Sequence, residues 1–375
     1  MRITFVLPNI DNSGGIRVIA TYAELLRKRG HEVVAVSVPL APVPLRRRIK
    51  SMIKGKGRPQ TSRNESTHFT ATSVIPCVIE TCRPITDRDV PDADIVIATW
   101  WETAPWVHKL SPQKGAKCYF IQGDERVLFP EDPSWAEKVR ATWSLPLRKI
   151  VVSRWLAELI AREAPGSHVE LVPNSVDTSL FSSGPRDRQP VPTVGMVYAN
   201  SWFRGLDVCL AAIELARQQI PNLHVMAFGH DACEPGLNME YFRNPPQHKI
   251  RSIYSHCDAW LFGSRKEGFG LPILEAMACR TPVIATPAGA APELLARGGG
   301  ILVKPEDPAD MACAIVGLCQ MPAQNWKSLS DAALQTAAAY TWQDASLLFE
   351  KALESALDHP KPSVNLATST EMIAG

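Results

Sequence analysis

The 375-residue sequence lacks several features that would assign it to a specialised class of protein. Its 40 Lys and Arg residues nearly balance 38 Asp and Glu residues, and a net charge of +2 is too small for a dedicated nucleic-acid binder. No apolar run approaches the ~20 residues of a membrane span, and the N-terminal MRITFVLPNI is too short for a secretory signal. These absences predict a cytoplasmic protein that binds no nucleic acid.

The nine cysteines form neither a metal-ligand pattern nor a disulfide pattern. Their number is odd, they are scattered, and none stands in a Cys-x-x-Cys pair or at zinc-like spacing. No Asp-x-Asp pair stands in a metal-site context either. We therefore expect no metal site and no cofactor, and a reducing compartment.

Tryptophan is the residue type that the sequence has in excess. Ten Trp residues stand against six Tyr and eleven Phe. A tryptophan ring packs well in a core, which accounts for most of them, but it can also stack on flat ligands and sugar rings. The length itself predicts two domains, since a single core rarely grows beyond ~250 residues.

The near-neutral charge hides an asymmetry between the two halves of the chain. Residues 1–180 hold 25 basic and 19 acidic residues, a net +6, and the remainder has a net −4. Much of the positive charge lies in residues 45–58, where apolar residues recur at helical spacing. This pattern favours docking on an anionic membrane surface, although a solvated loop explains it equally well. The polar composition between Gly55 and Thr72 predicts a flexible surface segment.

Short apolar strands alternate with helices along the chain, which is typical of two parallel, doubly wound α/β domains. We expect Rossmann-like domains over residues 1–180 and 193–341, joined by a linker over 181–192. A helix over 342–358 would pack back on the first domain, and 359–375 would be disordered. Ligands bind beyond the carboxyl ends of such strands, so two facing domains enclose a cleft. The predicted strands are 3–8, 32–38, 94–99, 117–122, 149–153, 193–198, 224–229, 259–263 and 282–286.

The segment Ser264–Ala278 carries the most specific chemical signal. It follows a predicted strand and opens a helix, with Pro272 placed for the first turn. Gly268 and Gly270 leave backbone amides accessible beside a helix N-terminus, which suits a phosphate group. Two glutamates, Glu267 and Glu275, would disfavour an anion there unless they bind hydroxyl groups. A polyol such as a sugar is their natural ligand.

These residues strongly resemble the family-4 retaining glycosyltransferases of the GT-B fold, whose E-x7-E element stands here as Glu267 and Glu275. The resemblance covers nearly the whole chain. It implies that Glu275 holds the donor's ribose hydroxyls and Glu267 contacts the donor sugar near the reacting centre. Arg204 takes the place of a lysine and would clamp the leaving diphosphate, so Glu267 and Arg204 are the expected catalytic residues. Donor binding is implied for Gly14, Gly15, Arg204, Arg265, Lys266, Glu267, Gly268, Phe269, Gly270, Leu271, Glu275 and Gly229.

The sequence departs from the family in two places. Gly195 is followed by Met196, where the family often has an arginine, so Arg265 or Lys266 would have to supply the charge unless Arg204 acts with less help. The strand 117–122 ends without the histidine that many members direct at the donor sugar. Aromatic and acidic residues after the first-domain strands could instead bind the acceptor, or simply pack: Trp100, Trp101, Glu102, Asp124 and Glu125. Trp202 could cover the donor, and His108 is expected to be a surface or packing residue.

The resemblance implies a metal-independent enzyme that moves a sugar from a nucleoside-diphosphate donor, with retention, to an acceptor bound by the first domain. The basic stretch 45–58 favours a glycan or lipid-linked acceptor, such as a lipopolysaccharide-type intermediate, at the inner face of the cytoplasmic membrane. A soluble acceptor stays open. Two alternatives are a nucleotide-sugar epimerase or hydrolase on the same scaffold and a non-catalytic protein that binds nucleotide sugars.

Overall fold

The computed structural model describes residues 1–40 and 67–358. The predictions made for 45–58 and for 359–375 lie outside these residues. Two separate β-sheets organise the described chain, and every strand pair in both of them is parallel.

The first sheet has seven strands in the order β3-β2-β1-β4-β5-β6-β7. Its central strands are mostly apolar, as expected where helices cover both faces of a parallel sheet. All four residues of β4 are buried. The strands are β1 (Arg2–Leu7), β2 (Glu32–Ser37), β3 (Cys77–Val78), β4 (Ile95–Ala98), β5 (Ala116–Ile121), β6 (Arg148–Val151) and β7 (Val169–Leu171).

The second sheet has six strands in the order β10-β9-β8-β11-β12-β13. It repeats the plan of the first sheet, because its first strand again lies beside its fourth. The strands are β8 (Thr193–Val197), β9 (His224–Gly229), β10 (Glu240–Arg243), β11 (Ala259–Phe262), β12 (Val283–Ala285) and β13 (Gly300–Leu302).

Eleven α-helices are present in the described part of the chain. Helix α1 has Ser13 as its N-cap and Arg27 and Lys28 in its last turn, which complements the helix dipole. The helices are α1 (Gly14–Lys28), α2 (Thr103–Lys109), α3 (Pro133–Trp143), α4 (Arg154–Glu163), α5 (Leu206–Arg217), α6 (Gln247–Ser255), α7 (Leu271–Ala278), α8 (Ala291–Leu295), α9 (Pro308–Gln320), α10 (Ala323–Ala338) and α11 (Trp342–Asp358).

The strand order changes direction once in each sheet, between β1 and β4 and between β8 and β11. At such a switch point the connections on either side leave in opposite directions, and a crevice opens beyond the carboxyl ends of the strands. The loops after β1 and β4 carry Gly14, Gly15 and Trp100, and those after β8 and β11 carry Arg204 and Glu267. The predicted functional residues therefore collect at the two switch points.

Helix α11 crosses from the end of the second half of the chain to the first sheet. Its Phe349 is fully buried and stacks on Tyr22 of α1, with ring centroids 4.4 Å apart. The same ring meets Phe120 of β5 edge-on at 5.2 Å and lies 6.2 Å from Phe5 of β1. The C-terminal helix thus completes the core of the first sheet.

The segment 181–192 is held against the second sheet. Arg186 donates hydrogen bonds to the carbonyl of Cys257 at 2.6 Å and to the hydroxyl of Thr281 at 2.8 Å. The buried carboxylate of Asp258 accepts from the backbone amides of Gln189 and Thr193. This connection therefore runs over the second sheet on defined contacts.

Residues 67–72 correct the expectation of a flexible segment that extends as far as Thr72. They contain a 3-10 turn (His68–Ala71), and Phe69 within it is only 3% exposed. The Thr72 hydroxyl donates to the Phe69 carbonyl at 2.9 Å. A single buried aromatic side chain fixes a segment whose composition is otherwise polar.

Candidate functional site

The carboxyl ends of the two sheets contact each other through the glycine loop that follows β11. The Gly268 carbonyl accepts hydrogen bonds from the Ser153 hydroxyl at 2.8 Å and the Trp155 indole at 3.0 Å. A Cβ at Gly268 would lie 1.7 Å from the carbonyl oxygen of Gln122, at the end of β5. Only glycine permits this approach of the two halves, so the loop sits at the centre of the cleft.

Further contacts hold the two halves together around this loop. The Arg154 amide donates to the Glu293 carboxylate at 2.9 Å. Trp202, 43% exposed, donates its indole N–H to the Val127 carbonyl across the cleft at 3.2 Å. On the first-domain side, the Gln122 amide group donates to the Gly15 carbonyl at 3.2 Å. Trp202 thus spans the cleft, which is compatible with the cover predicted for it.

Glu267 and Arg204 form an ion pair through Oε2 and Nη1. Arg204 ends a 3-10 turn (Trp202–Arg204), and the chain leaves that turn through Gly205 at a φ of +61°. A Cβ at Gly205 would lie 1.9 Å from the Gly263 carbonyl oxygen, so glycine is required to bring Arg204 beside the loop after β11. The two residues expected to be catalytic are therefore in direct contact.

Glu275 lies in α7 and is 5% exposed, with both carboxylate oxygens engaged. Its Oε1 accepts from Arg17 at 2.5 Å, and its Oε2 accepts from the Tyr254 hydroxyl at 2.8 Å. Arg17 belongs to the first turn of α1 in the first half of the chain. Coulombic attraction to Glu275 raises the pKa of Arg17 above its usual value. An ion pair between the halves therefore covers the carboxylate predicted to hold ribose.

The backbone between the two glutamates has the form expected of a phosphate-binding loop. Gly270 has a φ of +100° and precedes α7, whose first turn contains Pro272. Phe269 is 4% exposed, and its carbonyl accepts from the Ala290 amide. Leu271 opens the helix, Pro272 has no N–H, and the Ile273 amide donates to the Gly270 carbonyl at 2.9 Å.

The two cations next to Glu267 differ in their surroundings. Arg265 bonds Asp207 in a bidentate pair at 2.6 and 2.8 Å and also bonds Glu306. The hydrogen bonds that Arg265 donates to Asp207 and Glu306 raise its pKa above the usual value. Lys266 is exposed, and Met196 is buried in β8. Arg265 is thus committed to carboxylates outside the Glu267 pair.

Gly14 and Gly229 differ in the space around them. A Cβ at Gly14 would meet nothing within 4 Å, so the backbone there is open to a ligand. A Cβ at Gly229, at the end of β9, would lie 2.0 Å from the Tyr198 carbonyl oxygen. The close approach of two strand ends accounts for Gly229, and its role in donor binding stays a prediction.

The acceptor residues predicted after β4 and β5 form a packed network. Trp101 meets Trp135 with ring centroids 4.9 Å apart, and its backbone amide donates to Glu125 at 3.0 Å. Glu125 is buried, which raises its pKa to about 8, while Asp124 is bound by Arg126 through both oxygens.

This network favours packing over acceptor binding for Trp101, Asp124 and Glu125. Trp100 is half-buried and Glu102 is exposed, just before α2. His108 lies in the last turn of α2. Acceptor contacts by Trp100 and Glu102 stay a prediction.

Sequence reasoning missed Arg17 and Tyr254. Arg17 follows the Gly14–Gly15 pair by two residues, so its place in the first turn of α1 could have been inferred. Its contact with Glu275 could not, because that contact depends on how the two halves dock. No signal in the sequence points to Tyr254.

Two further properties concern the part of the chain that the structure describes. It contains no group of three or more His, Cys, Asp or Glu residues placed to hold a metal ion. None of its helices is both long enough and apolar enough to cross a membrane.

Known proteins with similar sequences are glycosyltransferases. Residues 190–321 match the family "Glycosyl transferases group 1". D-inositol 3-phosphate glycosyltransferase of Corynebacterium jeikeium is 34% identical over 286 residues, which are 68% of this chain and 67% of that protein. The homologous enzyme of Streptosporangium roseum is 37% identical over 99 residues, 26% of this chain. This match spans 22% of that protein, and the chain likewise spans less than half of the next several relatives.

Solved structures with a similar fold cover nearly the whole chain. Sucrose-phosphate synthase from Thermosynechococcus elongatus has a TM-score of 0.72 at 16% identity, with 96% of this chain and all of that chain covered. Anabaena HepE in complex with UDP and glucose has a TM-score of 0.69 at 16% identity, with 95% and 100% covered. S. aureus TarM, solved with UDP, has a TM-score of 0.72 at 10% identity, with 94% and 100% covered. The predicted GT-B fold of two parallel-sheet α/β domains is confirmed.

Proposed function

Since the chain belongs to the group 1 glycosyl transferases, we propose that it moves a sugar from a nucleoside-diphosphate donor to a glycan or lipid-linked acceptor, with retention and without a metal ion. The contact between Glu267 and Arg204 beside the Gly268 loop is the observation that carries this proposal. In this proposal the Glu267 carboxylate binds hydroxyl groups of the donor sugar and the Arg204 guanidinium binds the diphosphate.

The leaving diphosphate sets the main catalytic task. Charge builds up on its oxygens as the bond to the sugar breaks, and preorganised donors lower the barrier most where that charge appears. We infer that Arg204 and the Leu271 amide at the start of α7 are such donors. Side chains and backbone would thus neutralise the leaving group in place of a metal ion.

Retention follows from attack on the face that the diphosphate leaves. The leaving phosphate would accept the acceptor's proton, because Glu267 is held by Arg204 on the donor side. Analysis of the product's anomeric configuration by NMR tests this step, and an inverted product would refute it. Chelation with EDTA should leave the rate unchanged, whereas a rate restored only by added divalent cation would refute the metal-free mechanism.

Two classes of acceptor are worth testing first. The basic stretch 45–58 supports a lipid-linked acceptor at the inner face of the cytoplasmic membrane, and the enzyme would then be a peripheral cytoplasmic protein. Vesicles of anionic lipid should pellet the protein, and changing Arg46, Arg47 and Arg48 to Ala should abolish pelleting. The names of the relatives suggest a small phosphorylated polyol as the second class.

Donor binding is the first experiment, because a ligand that binds only the folded state raises the melting temperature. At a concentration of 100 times Kd the stabilisation is about 2.7 kcal/mol. One nucleoside-diphosphate sugar from a panel should stabilise the wild type, and Glu275→Gln should lose most of that shift. Glu350→Gln, which also removes a carboxylate bonded to an arginine, serves as the control and should keep it. A panel without any shift would contradict the proposal.

A further inference from the structure

We propose that Arg17 is a ligand of the donor's diphosphate, supplied by the first domain and released from Glu275 when the donor's hydroxyls take that carboxylate. This proposal rests on the proposed function, which makes a nucleoside diphosphate the ligand of the cleft. It adds to the donor site a residue from the first half of the chain, outside the motifs of the second half.

The first argument is the occupancy of Glu275. Its two oxygens bond the Arg17 guanidinium and the Tyr254 hydroxyl, and its side chain is only 7% exposed. Each oxygen keeps a second lone pair, but with 7% of the side chain exposed a pair of hydroxyl groups gains access to the carboxylate only when one of the two partners withdraws. Tyr254 is fully buried, whereas the Arg17 side chain is 30% exposed and extends from a helix end at the cleft. Arg17 is therefore the partner that moves.

The second argument is charge. A carboxylate that has lost its arginine inside a protein is strongly destabilised, and hydroxyl donors replace only part of the interaction. The freed guanidinium needs an anion of its own. An incoming diphosphate supplies that anion at the same moment, so the exchange keeps the cleft electrically balanced.

The third argument is distance. Glu275 lies four residues after Leu271, the first residue of α7, and a helix rises 1.5 Å per residue. The Cα atoms of Leu271 and Glu275 are therefore about 6 Å apart along the helix axis, roughly one helical turn, and the Arg17 guanidinium bonds the carboxylate of Glu275. A change in side-chain rotamers covers this range without movement of α1.

The fourth argument is the state of the other arginines at this end of the cleft. Arg204 is paired with Glu267, and Arg265 is paired with Asp207 and Glu306. Arg265 is bound by carboxylates that the proposed donor does not use. Arg17, like Arg204, holds a carboxylate that the donor needs, and it comes from the first domain, so donor binding frees a second cation from the opposite side of the cleft.

The experiment compares how strongly the protein binds a nucleoside and the matching nucleoside diphosphate. Calorimetry with UDP, GDP, ADP and dTDP first identifies the base that the wild type binds. The ratio of the nucleoside Kd to the diphosphate Kd then reports what the phosphates contribute. In Arg17→Gln this ratio should fall at least tenfold, while the nucleoside Kd stays constant or decreases because Glu275 has lost its competitor.

Two further variants make the result specific. Arg17→Lys keeps the charge and loses the planar fork, so the ratio should fall at least threefold, and this variant also answers the question if Arg17→Gln does not fold. Arg29→Gln is the matched control. Arg29 follows α1, is 34% exposed and bonds Glu350 away from the cleft, and its loss should leave the ratio unchanged.

The contrary outcomes are distinct. If the Arg17 variants weaken nucleoside and diphosphate by the same factor, Arg17 only fastens the two domains together and the proposal is wrong. An unchanged ratio in both variants overturns it as well. If the wild type binds none of the four diphosphates, the proposed function fails, and the role of Arg17 fails with it.

Discussion

Each of the two glutamates of the cleft is bound by an arginine, but from different sides. Arg204 holds Glu267 from within the second domain, and Arg17 holds Glu275 from the first. The first pair follows from two segments that the sequence already marks as parts of one site. The second pair depends on the docking of α1 against α7, which local sequence does not encode.

Glu125 shows how burial changes the chemistry of a single residue. Its pKa rises from the usual range to about 8 because burial penalises the charged form. At pH values between the pKa of Glu125 in the unfolded chain and its pKa in the folded protein, the folded protein binds one proton more than the unfolded chain does. The stability due to this group is therefore complete below about pH 4.5 and is lost as the pH rises through 8.

Glu125→Gln removes this titration while it keeps the shape and the hydrogen-bond acceptor for the Trp101 amide. We expect the stability of the variant relative to wild type to increase by on the order of 3 kcal/mol between pH 5 and pH 8. Denaturant unfolding across this range measures it. Glu137→Gln, whose side chain is 73% exposed, is the control. If the free energy of unfolding changes with pH in the same way for the wild type and Glu125→Gln, the pKa of Glu125 is not raised and the prediction is wrong.

Among helices and strands, those with a clear apolar pattern were predictable and those without one were not. The predicted bounds of β1, β4, β8 and β9 agree with the structure to within two residues. Strand β3 has two residues, both exposed, so no hydrophobic pattern marks it. Helix α10 was not predicted, because Ser330 and Thr336 take places on its buried face and weaken the apolar period.

Phe349 is the largest fully buried side chain of helix α11. Phe349→Ala should lower the free energy of unfolding by about 3–5 kcal/mol, since it removes a fully buried ring from between α1 and β5. Leu347 on the same helix is 39% exposed, and Leu347→Ala should change stability by less than about 0.5 kcal/mol. Denaturant titration of both variants measures the difference. Equal effects would mean that α11 does not complete the first core.

Across the whole molecule, the approach of the two domains rests on a glycine. A side chain at Gly268 would collide with the Gln122 backbone, so Gly268→Ala should hold the domains apart. We expect a larger radius of gyration by small-angle X-ray scattering and at least a tenfold loss of sugar transfer. Gly317 lies within α9, and a Cβ there would meet nothing within 4 Å. Gly317→Ala should therefore stabilise the protein by about 0.5–1 kcal/mol and change neither the radius of gyration nor the rate of sugar transfer. A Gly268→Ala variant with wild-type dimensions and rate would contradict this view of the cleft.

The sequence predicted the fold of two parallel-sheet α/β domains, and the place of the site stays a prediction with a physical reason. In doubly wound sheets the ligand end is set by topology, so loops after β1, β4, β8 and β11 must meet at the cleft. The contact of Arg17 with Glu275 needed the structure, because it depends on how the two domains dock. Acceptor binding by Trp101, Asp124 and Glu125 stays a prediction, and the structure shows these residues bonded to one another or to their neighbours.

The most direct test is sugar transfer by Glu267→Gln. The donor is the nucleoside-diphosphate sugar that the binding panel identifies, and extracts containing candidate acceptors are added to it. The release of nucleoside diphosphate is then measured for Glu267→Gln and for the wild type. Glu267→Gln should bind the donor and lower transfer by ~100-fold or more, since it removes the carboxylate next to the reacting sugar. Glu293→Gln, which alters a carboxylate at the domain contact, should lower transfer far less. Transfer at the wild-type rate by Glu267→Gln would contradict the proposed mechanism.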